Sequence, residues 1–253
     1  MTVVKLIVCG CLMCLITPVQ GAMLPEQCKK IGIVASWPPL TVFDEEGATG
    51  LDVEIVQHIF ERAKVCYKFV RLPSSARTFE EMQKGTIDVA TMTSYTISRE
   101  RFGTFSVSYR QEKMRLISLK QPSSITNLRT VLNSDNTIGL SIGSYYGEEI
   151  RQLMSDTRLS DQFVGLASAN SRIAMLVKGR VDFIIDDLIS AHYYKTKLDH
   201  ASLKVWPYVV HDNPVHLLLS HTAFTHTEIS AINLAIKDLQ NDIDAIVMSY
   251  LIN

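Results

Sequence analysis

The sequence predicts an α/β fold in two lobes, each a mostly parallel sheet flanked by helices, with a hinge of two crossing strands between them. Three observations predict it. Strand-like and helix-like segments alternate along the chain, the grammar of parallel strands covered by helices. The alternation occurs twice, in halves of similar size. Apolar strands near residues 115 and 215 then carry the chain from the first half to the second and back. Two crossings make a hinge, and ligands of such folds favour the crevice at the carboxyl ends of the strands. The expected organisation is a leader over 1–21, the first part of lobe 1 over 22–115, lobe 2 over 116–214, and a return to lobe 1 with the C-terminal helices over 215–253.

The leader comes first. Lys5 supplies a positive start, residues 6–16 an apolar run, Pro18 a break, and Val19-Gln20-Gly21 a small-residue cleavage site. This is the pattern of a secretory signal peptide cut after Gly21. Its apolar run falls short of the ~20 residues that span a bilayer. After it, 30–34 is rich in strand formers. Over 51–63, Val53, Val56, Ile59 and Phe60 recur at helical spacing. A strand over 66–72 follows, then a short helix over 78–84 stopped by Gly85, and a strand over 87–92.

The second unit opens with a strand over 114–120. Strands at 137–141, 162–166 and 181–185 alternate with helices at 146–154, 169–178 and 188–196. A strand over 215–220 and amphipathic helices over 227–251 close the chain.

The 253 residues carry a formal net charge of −1, with no basic stripe and no zinc-type cysteine spacing. These features exclude nucleic acid as a partner. The seven histidines, among them His211, His216, His221 and His226, keep no common face and have no cysteine beside them. No metal and no cofactor is expected. Of five cysteines, Cys9, Cys11 and Cys14 leave with the leader, and Cys28 and Cys66 remain. Export to an oxidising compartment favours a disulfide between them. If the strands that follow Cys28 and begin at Cys66 are parallel neighbours, their starts lie side by side and a bridge is feasible. Two buried free thiols are the alternative.

Residues 85–109 carry the clearest chemistry. A short apolar strand runs into small hydroxyl residues and then into Arg99 and Arg101. An arginine held at the carboxyl end of a strand is a good anion receptor, because its planar fork meets a carboxylate in two parallel hydrogen bonds.

Four landmarks, in order, resemble the periplasmic solute-binding proteins of family 3, the amino-acid-binding components of ABC transporters. They are Ile31-Gly32-Ile33-Val34-Ala35-Ser36-Trp37-Pro38-Pro39-Leu40; Gly47-Ala48-Thr49-Gly50-Leu51-Asp52-Val53-Glu54-Ile55; the segment 85–109; and Gly179-Arg180-Val181-Asp182-Phe183-Ile184-Ile185-Asp186-Asp187. The resemblance implies the type II periplasmic-binding fold, and it covers nearly all of the chain after the leader.

It also implies roles for particular residues. The family's carboxylate-binding arginine lies six residues before the Phe of a Phe-Ser pair, and Phe105-Ser106 places it at Arg99; Arg101 then faces solvent. The hydroxyl of Ser94 and the carbonyl of Met92 would face the ligand, and Thr96 would offer its backbone N–H. Ser144, after Gly143, would add a donor at a helix start. Tyr145 departs from the family's small residue there and adds bulk. Asp187 would hold the ligand's ammonium, with Asp186 the neighbouring candidate. Trp37 would cover the ligand's side chain, and Arg77 is a further candidate for the cleft. Val34 stands where members that take cationic amino acids carry an acid, which argues against a Lys- or Arg-type ligand.

The function implied is capture of a small zwitterion, an amino acid or small carboxylate, by a monomeric periplasmic protein that delivers it to an ABC importer. Two other functions occur on this fold: a periplasmic dehydratase acting on cyclohexadienyl acids, and a ligand-sensing module for a membrane receptor.

Overall fold

A computed structural model describes residues 28–197 and 200–252; the leader expected over 1–21 lies outside the described residues. Strand β1 (Lys29–Val34) begins the first lobe. The chain then folds three very short strands, β2 (Ser36–Trp37), β3 (Thr41–Phe43) and β4 (Ala48–Thr49), into a separate antiparallel sheet. Helix α1 (Leu51–Ala63) follows. Gly50 makes this entry possible: its φ is 114°, and a Cβ there would come within 2.6 Å of the Leu40 carbonyl oxygen. The helix buries Leu51, Val53, Ile55, Val56, Ile59 and Phe60 and ends at Lys64 in the left-handed conformation. Strand β5 (Tyr67–Leu72), helix α2 (Thr78–Gln83), strand β6 (Val89–Ser94) and the short strand β7 (Gly103–Phe105) complete this part.

The second lobe begins after β8 (Arg110–Ser118). It contains α3 (Arg129–Leu132), β9 (Ile138–Ser141), α4 (Gly147–Ser155), β10 (Phe163–Leu166), α5 (Ala169–Val177), β11 (Phe183–Asp187) and α6 (Leu188–Lys197). Strand β12 (Lys204–Ser220) returns to the first lobe, where α7 (His226–Asp238) and α8 (Gln240–Ile252) end the chain. Thr225 caps α7 with a reciprocal capping box to Glu228.

All the longer strands form one sheet, in the order β10-β9-β11-β8-β12-β6-β1-β5. Within the lobes the pairs β5-β1-β6 and β10-β9-β11 are parallel, as the alternating pattern requires. Antiparallel pairing enters with the crossing strands. β8 runs against β11, β12 runs against β6, and the two crossing strands pair with each other from Arg110↔Val215 to Lys204↔Ser118.

Two expectations are corrected here. The return strand begins at Lys204 rather than at 215, and the outgoing strand at Arg110 rather than at 114. Pro207, Asp212, Asn213 and Pro214 interrupt the apolar alternation of β12, and its register shifts between Val205 and Val209 and again before His211. Pairing with β8 holds this segment extended where its own sequence does not.

The cysteine pair is resolved in favour of the bridge. Strands β1 and β5 are parallel neighbours starting at Lys29↔Tyr67, and Cys28 and Cys66 are joined with their Cα atoms 4.6 Å apart. Among the described residues no helix is long and apolar enough to cross a membrane.

Candidate functional site

The carboxyl ends of β1 and β6 face the second lobe across a cavity of about 50 Å³. At ~10–15 Å³ for each water, that is room for a handful of solvent-sized groups. Lobe 1 lines it with Trp37, Thr41, Met92, Thr93, Ser94 and Arg99. Lobe 2 lines it with Gly143, Ser144 and Tyr145, and the crossing strand β8 adds Glu112.

The small volume reflects lobes closed upon each other. The Trp37 indole Nε1 donates to Asp186 Oδ1 at 2.7 Å, and the Arg172 guanidinium lies 4.9 Å from the centre of the same indole. Ser190 Oγ donates to the Pro38 carbonyl at 3.0 Å. Arg99 joins both sides, donating to the Ser94 carbonyl at 2.8 Å and to the Gly143 carbonyl at 3.2 Å. Gly143, at φ 88°, has the backbone of Ala76 so near that a Cβ would sit 2.6 Å from its Cα.

Arg99 reaches this position from two turns of tight helix, Ile97–Phe102, that follow β6. Its guanidinium lies 4.8 Å from the centre of the Phe79 ring, and burial lowers its pKa. It contacts carbonyls and an aromatic face, and among the described residues it forms no ion pair with a carboxylate. Met92, inside β6, has φ 51°, a conformation uncommon for a residue with a Cβ. Its N–H donates to the Tyr109 hydroxyl at 3.0 Å, which in turn donates to Asp52 Oδ1 at 2.7 Å. Ser94 is buried on the wall.

Other expected residues lie elsewhere. Thr96 precedes the tight helix, its hydroxyl 3.2 Å from that of Ser98, and it does not line the cavity. Arg77 is exposed and pairs with Glu80. Arg101 stacks over the Phe102 ring, away from the cavity. Ser144 and Tyr145 do line it, but α4 starts only at Gly147, so the two sit on the approach to the helix rather than at its first turn. Tyr145 packs edge-on against His211, ring centres 5.4 Å apart.

The structure does not bring Asp187 to the cavity wall. Arg110 is the physical reason. It grips Asp52 with two hydrogen bonds, Nε to Oδ1 at 2.8 Å and Nη2 to Oδ2 at 2.7 Å, and its Nη1 lies 3.6 Å from Asp187 Oδ2. Burial opposes the charge on Arg110, but Asp52 and then Asp187 carry its pKa well above the ordinary value. Asp187 also accepts the Ile189 N–H at 2.8 Å, while burial holds its own pKa above the ordinary range. Asp186 is equally engaged, binding Trp37 and receiving Arg172 Nε at 3.1 Å and Nη2 at 2.8 Å.

Glu112 is a residue that sequence reasoning missed. It is 3 % exposed and is the one acidic side chain on the cavity wall among the described residues. Burial pushes its pKa up to about 8, with the negative charges of Asp187 and Asp52 adding to the rise and Arg110 and Arg99 opposing it. The signal for it is alternation: Arg110, Glu112 and Met114 point inward while Gln111 and Lys113 point out. That alternation is legible only once the strand is extended back to Arg110. Thr41 was missed as well; its hydroxyl is buried on the same wall with no hydrogen-bond partner among the described residues.

This arrangement can bind an anion at Arg99, hold a second polar group at Glu112, and close two lobes around what it binds. Comparisons with known proteins agree with the fold. The virulence sensor protein BvgS of Bordetella pertussis is 19 % identical over 231 residues, covering 91 % of this chain. The chain spans only 18 % of that relative's length. A histidine kinase sensor domain with similarity to periplasmic binding proteins superposes with a TM-score of 0.75 at 14 % identity, covering 89 % of this chain and 96 % of that one. The arginine-, lysine-, histidine-binding protein ArtJ of Geobacillus stearothermophilus superposes with a TM-score of 0.74 at 18 % identity, covering 88 % and 95 %. The model of the bacterial extracellular solute-binding proteins, family 3, matches residues 30–251. Matched over nearly all of its described length, this chain belongs to the bacterial extracellular solute-binding proteins, family 3.

Proposed function

We propose that the protein captures a small amino acid outside the cytoplasm, in the cleft between its lobes, with Arg99 as the receptor for the ligand's carboxylate. The observation that carries this reading is a guanidinium on the wall of the interlobe cavity with no carboxylate partner among the described residues. A ligand carboxylate supplies the missing bidentate partner. Because such a ligand touches both lobes, it favours the closed state over the open one, and binding and closure become one equilibrium.

The test is calorimetric titration of the exported protein with amino acids, alongside Arg99→Ala. Losing a charge-assisted contact costs about 2–3 kcal/mol, roughly 30- to 150-fold in affinity. Wild-type affinity in Arg99→Ala refutes the assignment.

Delivery of the ligand to an ABC importer is the expected use. The likeness to a virulence sensor and to a histidine kinase sensor domain favours a second use, in which the closed form reports the ligand to a membrane partner. Crosslinking in intact cells, followed by identification of the membrane protein captured with and without ligand, separates the two: a permease subunit supports delivery, a sensor kinase supports reporting.

A further inference from the structure

Resting on the amino-acid reading above, we propose that Glu112, on the crossing strand β8, receives the ligand's ammonium group, and that Asp187 does not. The cavity wall carries two ionisable side chains of opposite sign, Arg99 and Glu112, and neither forms an ion pair among the described residues. The other two carboxylates of the buried cluster, Asp52 and Asp187, already share Arg110. An unpaired guanidinium and an unpaired carboxyl on one small cavity are the complement of a zwitterion. The unpartnered Thr41 hydroxyl on the same wall leaves a further hydrogen bond to be made there. Asn213, opposite Glu112 in the β8–β12 register, has a buried Nδ2 without a hydrogen-bond partner among the described residues.

The exchange that follows is a proton for an ammonium ion. Groups facing Glu112 are Arg110 on its own strand, Asp187 of β11, Asp52 of α1, Arg99 of lobe 1, Tyr146 of lobe 2, and Asn213 of β12, with His211 of β12 further along the register, opposite Met114. With a pKa of about 8, the carboxyl of the empty site holds its proton at neutral pH. When the ligand's ammonium arrives, the Glu112 O–H bond breaks, the proton goes to solvent, and the carboxylate pairs with the ammonium. Arg99, already charged, takes the ligand carboxylate without a proton change.

The experiment pairs each small amino acid with its deaminated acid: glycine with acetate, L-alanine with propionate, γ-aminobutyrate with butyrate. Each is titrated calorimetrically at pH 7 in two buffers of different ionisation enthalpy. The expected result is that one amino acid binds and its deaminated partner binds about 100-fold more weakly. About one proton is released for each ligand bound, and affinity rises with pH up to about pH 8 and then levels off. Glu112→Gln, close in shape and neutral, should bind the amino acid about 100-fold more weakly, leave the acid's affinity unchanged and abolish proton release. Wild-type affinity in Glu112→Gln, absence of proton release from the native protein, or equal binding of the paired acids overturns the proposal. Proton release is read on the native protein, so the test stands even if the variant does not fold. The underlying reading fails separately: it falls if Arg99→Ala binds normally, or if no probe binds at all, and in the latter case Glu112 falls with it.

Discussion

One arginine redirects the charges of the whole site. Arg110 is 5 % exposed, locked to Asp52 and adjacent to Asp187, so two carboxylates that would otherwise seek a cation have one inside the protein. Glu112 is left in the cluster without a cation of its own, and this has a consequence for stability in the absence of ligand. Its folded pKa of about 8 lies above the ordinary glutamate value. Between the two values the folded protein holds a proton that the unfolded chain has released, so stability from this group is full below about pH 4.5 and is lost as pH rises through about 8. Thermal melts of wild type and Glu112→Gln from pH 5 to 9 should show wild type falling relative to the variant, by on the order of 3–5 kcal/mol across the range. Parallel curves for the two proteins would show that Glu112 does not hold that proton.

At the scale of elements, the approach to α4 is a place where the two lobes meet main chain to main chain. Gly143 occupies a left-handed conformation and lies against the backbone at Ala76 in the other lobe, so a single methyl meets main chain rather than a yielding side chain. Gly143→Ala should therefore leave each lobe folded while opposing closure. Small-angle scattering should report a larger radius of gyration, and calorimetry an affinity lowered by about tenfold or more, as expected when 1–3 kcal/mol of backbone strain adds to a steric clash in the closed form. A scattering profile identical to wild type would mean that the contact yields without cost. The same scale shows what the sequence makes legible. Helix α1 is readable from Leu51 to Ala63 because its apolar residues keep helical spacing and Gly50 and Lys64 bound it. The first half of β12 is not, because prolines and polar residues break its alternation and only its partner strand holds it extended. Glu112 was hidden with it: a glutamate reads as a surface residue until the strand that turns it inward is recognised. The place of Arg99 on the cavity wall was legible because its spacing to Phe105-Ser106 is local, whereas the pairing of Arg110 with Asp52 joins residues far apart in sequence and depends on packing.

In the whole molecule, the disulfide and the cavity sit at opposite ends of the first lobe. The bridge between Cys28 and Cys66 ties the starts of β1 and β5, while the cavity lies at the other end of β1, where Val34 lines it. Six residues of strand separate the two, about 20 Å at ~3.3 Å for each residue. The bridge closes a loop across 38 positions, and constraining such a loop in the unfolded chain contributes roughly 2–4 kcal/mol. Replacing both cysteines by serine should lower the melting temperature by about 5–15 °C for a chain of this size. Neither Cys28 nor Cys66 lines the cavity, and the hinge is formed by β8 and β12, on the far side of β6 from β1. Ligand affinity measured well below the melting transition should therefore match wild type. Affinity that falls along with the melting temperature would show that the edge of the lobe and its cleft are coupled, and that the bridge acts on the closed state as well as on the unfolded one.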